Sequence, residues 1–144
     1  QLFEKSDLVI AQEFLPTEFD WRVGIFDGKP MYLCKYFMAR KDWKVISKDK
    51  SGRTLNGRSE TLPVELAPRK LINLAVKAAN LIGDGLYGLD IKQVGNNFYV
   101  IEINDNPNID HGYEDQVLKD DLYLRIMEVF LRRITDAKEG RSNQ

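Results

Sequence analysis

The sequence predicts an α+β fold, an antiparallel β-sheet with helices packed on one face. Three observations predict it. Runs of β-branched and aromatic residues are broken at Asp27-Gly28 and at Gly95-Asn96-Asn97, both hairpin signals. Apolar residues recur at helical spacing between Leu71 and Ile82 and again between Leu122 and Phe130. The length of 144 residues suits one domain with a substantial core.

Taken in order, residues 8–15 read as a mostly apolar strand that closes at Pro16. Residues 19–26 alternate in part and run into the Asp27-Gly28 turn. Residues 30–38 form the return strand, with Pro30 tolerable at its first position. Residues 43–46 add a short edge strand, so the first third is an antiparallel meander. Residues 47–63 change character, with Ser, Gly, Asn, Thr and basic residues dominating. Seven basic residues and two acidic ones lie between Arg40 and Arg58. Such a loop is either a solvated surface or a flap that closes over an anion.

Pro68 stands at the first position of a helix that carries Leu71, Leu74, Ala75, Ala78, Ala79 and Ile82 on one face. Its alanines allow close approach to a sheet, and Gly83 and Gly85 stop it. The central hairpin follows, with strands at 86–94 and 98–104 around a three-residue loop. Val94 then faces Phe98, which sets Asp90 opposite Glu102, and alternation puts Glu102 and Asn104 on one face. A polar loop covers 105–115. Leu122, Ile126, Val129 and Phe130 mark a second amphipathic helix over 118–134. The tail, 135–144, has no apolar anchor and frays.

Composition excludes several classes. A net charge of −1 creates no field that recruits nucleic acid or membrane. No apolar run approaches the roughly 18 residues of a membrane span, and no signal sequence opens the chain. The lone Cys34 cannot form an internal disulfide, and Tyr32, Leu33 and Tyr36 around it point to a buried thiol in a reducing, cytoplasmic setting. The opening Gln1-Leu2-Phe3 suggests a piece of a longer protein.

Chemistry concentrates in three places. Asp90 and Glu102, opposed across a ladder, repel by up to about 1 kcal/mol. With Asn104 they form either a solvated face or an oxygen-ligand set for a hard cation such as magnesium. An EF-hand is excluded, because His111 and Val117 occupy the positions its loop reserves for Gly and Glu. Glu13 and Asp20 flank the Leu15-Pro16-Thr17 turn, where carboxylates can meet adenine or ribose or simply solvent. Arg22, Lys35 and Arg40 are cations on the antiparallel strands, and several on one face would suit phosphate oxygens. His111, the lone histidine, leaves no histidine-built zinc site or serine triad; in a polar loop it reads as exposed.

The string Val-Ile-Glu-Ile-Asn-Asp-Asn-Pro at 100–107, preceded by Gly-Leu-Asp-Ile at 88–91, resembles the signature of ATP-grasp carboxylate–amine ligases. Gln-Glu-Phe-Leu-Pro at 12–16, with Asp20-Trp21-Arg22-Val23 after it, resembles their nucleotide hinge and the following strand. The match covers about residues 8–134 and is nearest the branch of ribosomal-protein glutamate ligase and glutathione synthetase.

The resemblance implies that Asp90, Glu102 and Asn104 bind magnesium, with manganese the alternative ion and Glu102 bridging two ions. Glu13, Phe14 and Leu15 would line the adenine site, and Asp20 would hold the ribose hydroxyls of ATP. Arg22, Lys35 and Arg40 would contact phosphate or acyl phosphate. The loop with Arg53, Arg58 and Ser59 would close over substrate, and Asn106 would orient it. The implied reaction activates a carboxylate as an acyl phosphate and lets an amine displace phosphate.

The implied partners are carboxylate and amine substrates, small or peptidic, with neither nucleic acid nor membrane; a homo-oligomer is compatible with this. Residues 1–134 would be the C-terminal half of an ATP-grasp domain that needs the remainder of the enzyme, so the chain alone is expected to be inactive. The alternative reading is a non-catalytic nucleotide- or metal-binding module derived from such a ligase.

Overall fold

The computed structural model describes residues 8–9, 11–38, 46–48, 54–56 and 58–140. Strands β1 (Phe19–Phe26), β2 (Lys29–Phe37), β5 (Ser59–Leu62), β6 (Leu86–Val94) and β7 (Asn97–Asn104) form one sheet in the order β5-β2-β1-β6-β7. Every pairing in it is antiparallel. Strands β3 (Ile46–Lys48) and β4 (Thr54–Asn56) pair separately, inside the segment read as a loop. The helices are α1 (Arg69–Asn80) and α2 (Asp120–Lys138).

The antiparallel α+β class is as expected, but the helices do not share a face. Trp21, Val23, Ile25, Leu33, Leu89 and Ile91 pack with Leu71, Ala75 and Ala79 of α1. Phe26, Tyr32 and Cys34, which alternate with that set along β1 and β2, pack instead with Leu122 and Ile126 of α2. The pleat sends successive side chains to opposite faces, and both sets are apolar, so each face needs its own helix. Leu71, Ala75 and Ala79 follow the i, i+4, i+8 spacing of a single stripe, and all are fully buried. Burying a side chain such as Leu71 contributes about 1.5–3 kcal/mol.

Other boundaries move for local reasons. Residues 11–17 form no strand; Gln12 to Leu15 instead line a cavity with residues of β6 and β7. The edge strand expected at 43–46 falls on residues that, Ile46 apart, lie outside those described. Strand β5 has no apolar run to announce it; its pairing with Leu33 to Tyr36 of β2 makes it a strand. Asp27 and Gly28 both have positive φ, 53° and 68°, as a tight hairpin turn demands. Pro68 precedes α1, and its carbonyl accepts hydrogen bonds from Leu71 and Ile72. Helix α2 runs to Lys138, past the expected start of fraying, carried by its own backbone bonds; residues 141–144 lie outside those described.

Candidate nucleotide and metal site

The central hairpin departs from the expected turn and still delivers the expected pairing. Val94 faces Asn97, so Gly95-Asn96 is a two-residue turn, one shorter than predicted. The ladder then slips at Ile101: Ile91 faces Val100, whereas Asp90 faces Glu102. Ile101 is the extra residue of a β-bulge. The bulge reverses the parity of β7, since Phe98, Val100 and Ile103 all pack against the α1 core. Without it Glu102 would join Phe98 and Val100 on that apolar face. With it, Glu102 is exposed and stands beside Asp90.

On this polar face β1 contributes Asp20 and Arg22, and β6 contributes Asp90 and Lys92. Arg22 Nε donates to Asp90 Oδ1 at 2.5 Å and Nη2 to Oδ2 at 2.9 Å. Burial alone would lower the pKa of Arg22, but the hydrogen bonds and charge of Asp90 outweigh it and leave it raised. Lys92 Nζ donates to Asp20 Oδ1 at 2.6 Å and to Thr17 Oγ1 at 2.8 Å, and Thr17 Oγ1 donates to Asp20 at 2.9 Å.

A cavity of about 550 Å³ is lined by Gln12, Glu13, Phe14 and Leu15 on one side and by Asp20, Asp90, Lys92 and Glu102 on the other. The predicted hinge residues and two of the three predicted metal ligands thus share one space, of a size typical for small-molecule sites, about 300–1,000 Å³. Asn104 follows Glu102 on the same face of β7, opposite Gly88, and is not in the cavity wall. A second cavity, of about 250 Å³, adjoins the first through Asp20 and Asp90 and adds Arg22, Tyr36, Asn108, Asp110 and Glu114.

The other predicted residues fall elsewhere. Lys35 faces Trp21 in the ladder and reaches over the Phe19 and Trp21 rings toward Glu60, on the sheet face opposite Arg22. The pleat separates the two cations, so they cannot act on one phosphate. Arg40 and Arg53 lie outside the described residues. Arg58 stacks over Phe37, Ser59 pairs with Tyr36 in the β2–β5 ladder, and Asn106 is exposed just beyond β7. His111 is 96% exposed and bonds the buried Asp115 at 2.8 Å. Cys34 is buried; burial, moderated by a hydrogen bond with Thr61, pushes its thiol pKa up to about 11.

Sequence reasoning missed Lys92, Tyr36 and Glu114. Lys92 had a signal, the Asp90-x-Lys92 alternation that puts both on one strand face. Tyr36 and Glu114 had none, because a hydroxyl–carboxylate bond between β2 and a loop far along the chain leaves no local pattern.

The donor set can be tested against a hard cation. Among the described residues no three His, Cys, Asp or Glu side chains stand close enough to hold a metal ion. The predicted set contains two carboxylates and one amide oxygen, all of a type suited to magnesium. Glu102 has no hydrogen bond or ion pair among the described residues, while both oxygens of Asp90 serve Arg22. Asp90 and Glu102 suit such an ion by donor type and share the cavity wall, with Glu102 open and Asp90 shared with Arg22, while Asn104 stands outside that wall.

No family model and no curated protein matches the chain. Solved structures do. The D-alanine–D-alanine ligase from Bacillus anthracis is 16% identical with a TM-score of 0.56, over 85% of this chain and 42% of that one. The ATP-grasp ligase PsnB complexed with precursor peptide PsnA2 and AMPPNP is 22% identical with a TM-score of 0.49, over 77% of this chain and 33% of that one. The five-stranded antiparallel sheet with its two helices shares the fold of the matched part of the D-alanine–D-alanine ligase. The chain spans less than half the length of either structure. No helix among the described residues is long and apolar enough to cross a membrane.

Proposed function

We propose that this chain is the C-terminal half of an ATP-grasp carboxylate–amine ligase, which joins an acid to an amine at the expense of ATP. The observation that carries the proposal is the 550 Å³ cavity, where the hinge residues Glu13, Phe14 and Leu15 meet Asp20, Asp90 and Glu102. The resemblance of the signature at 88–107 supports reading the ligase as one near the glutamate-ligase and glutathione-synthetase branch.

In this reading Glu13, Phe14 and Leu15 hold adenine, and Asp20, set by Lys92 and Thr17, meets the ribose hydroxyls. Asp90, Glu102 and Asn104 hold magnesium, which supplies charge neutralisation and alignment of the phosphates when bound. Arg22, paired with Asp90, would contact the acyl phosphate. The opposing half of the clamp comes from the rest of the enzyme. A second reading, a nucleotide-binding module without catalysis, is supported by the complete engagement of Asp90 with Arg22.

The test is calorimetric titration of ATP into the chain, with and without magnesium. Binding should need magnesium, vanish in Glu102→Ala and persist in Lys35→Ala. In the polypeptide joined to its other half, ADP release across panels of acids and amines should collapse in Glu102→Ala. Equal turnover by wild type and variant would sink the ligase reading; magnesium-dependent binding with no turnover on any substrate would favour the second.

A further inference from the structure

Helix α2 is apolar on two sides. Leu122, Ile126 and Val129 form the side that packs against the sheet with Phe26, Tyr32 and Cys34. Leu124, Met127, Leu131 and Ile134 form the other, and each of them is between 53% and 66% exposed. At about 100° per residue, this second stripe is centred roughly 150° around the helix from the first. Its spacing of three, four and three residues is the a/d repeat of a helix–helix seam. A helix lying on a sheet needs one apolar stripe, and its outer side is ordinarily polar. Tyr123 and Phe130, both exposed, widen the outer stripe along one edge.

A second observation, the charge on this stripe, is independent of its apolarity. Asp120 and Lys138 are about five turns apart, so both lie in line with Met127, one at each end of the stripe. Both are exposed, and neither makes an ion pair among the described residues. The first half of α2 carries Asp120, Asp121 and Glu128 against Arg125, and the second half carries Arg132, Arg133 and Lys138 against Asp136. That polarity suits the dipole of the helix itself. The dipole does not require the end charges to stand on the apolar stripe.

We infer that the outer face of α2 binds the same face of a second copy of this chain, with the two helices antiparallel about a two-fold axis level with Val129. An isologous contact needs a self-complementary patch, and an apolar stripe with opposite charges at its two ends is one. In this register Met127 meets Leu131 of the partner subunit, and Leu124 meets Ile134 of the partner subunit. Asp120 meets Lys138 of the partner subunit, and the two-fold axis repeats every contact. A parallel pair would set like charges together at both ends, so charge selects the antiparallel one. A single helix pair sits at the low end of interface sizes, below about 1,200 Å², which sets the expected dissociation constant on the order of 100 µM. None of the residues lining the nucleotide cavity belongs to α2, so this pairing holds whether or not the ligase reading does.

The test is sedimentation equilibrium on the chain from about 10 µM to about 1 mM, with each variant checked for folding by thermal melt and for helix content by circular dichroism. A monomer–dimer equilibrium is expected. Leu131→Glu, at an exposed position outside the core, should weaken it at least roughly tenfold, because it sets a charge into the apolar seam twice over. Asp120→Lys and Lys138→Asp should each weaken it several-fold. Combining the two should restore it, because the ion pairs are rebuilt with their signs exchanged. A chain that stays monomeric throughout, association unchanged in Leu131→Glu, or no recovery in the double variant overturns the inference. The same measurement on the polypeptide joined to its other half tests whether that half covers the face instead. A dimer there that Leu131→Glu dissociates supports the inference, and a monomer there overturns it.

Discussion

Arg22 and Asp90 hold each other bidentately across the β1–β6 ladder, at 2.5 and 2.9 Å, with side chains 20% and 24% exposed. Two cations cannot both neutralise one carboxylate at full strength, so any divalent ion held through Asp90 would have to compete with Arg22 for it.

That competition predicts the behaviour of Arg22→Gln. Freed of its partner, Asp90 should bind manganese with Glu102 several-fold more tightly in an EPR titration of the nucleotide-free chain. Stability should fall by about 1–3 kcal/mol in urea unfolding, the range for losing charged hydrogen bonds at a part-buried site. Weaker manganese binding in the variant would show that Arg22 supports the site rather than competing for it.

Gly24 answers to packing alone. A Cβ there would stand 2.2 Å from the Tyr32 ring, and the ring is wedged in the core between β1 and α2. Gly24→Ala should therefore cost about 1–3 kcal/mol, the usual penalty for overpacking, read from the urea midpoint. Adding Tyr32→Phe, which keeps the ring, should leave the clash in place, so that any gain from losing the buried unpartnered hydroxyl is the same in the wild-type background as in Gly24→Ala.

Asp27 links the β1–β2 turn to α2. Arg132 and Arg133 donate to its two oxygens at 2.6 and 3.1 Å. Burial raises its pKa, but the hydrogen bonds and charges of Arg132 and Arg133 together outweigh it and leave the value below the ordinary 3.8. A depressed carboxylate pKa contributes stability that is present above pH 3.8 and lost as pH falls through the folded value. Asp27→Asn should flatten the acid limb of the stability profile and lower stability near neutrality. With Arg132 half exposed, the effect is screened to about 0.5 kcal/mol. An unchanged acid limb in the variant would show that Asp27 is not coupled to folding.

Much of the sheet was legible in advance because its signals are local. Asp27-Gly28 specifies a turn by backbone conformation, and Leu71, Ala75 and Ala79 specify a buried stripe by spacing. Strand β5 was not legible: Ser-Glu-Thr-Leu carries no strand signal and is extended because β2 offers an open edge. The Asp90–Glu102 pairing was reached through an incorrect turn length, and it holds because the Ile101 bulge supplies the missing residue of offset.

The order of residues alone determined that Asp90, Glu102 and Asn104 would lie on neighbouring strands of one hairpin, since turn chemistry and alternation are properties of adjacent residues. It also determined which side chains could carry oxygen-ligand or phosphate chemistry. Tertiary structure decided which of them meet. It turned Lys35 away from Arg22 by the pleat, and brought Lys92 to Asp20 and Tyr36 to Glu114 across distant segments. It set Arg22 on Asp90, and through one bulge kept Glu102 out of the α1 core. Those outcomes depend on register between strands far apart in the chain, and register is settled only when both faces of the sheet are packed at once.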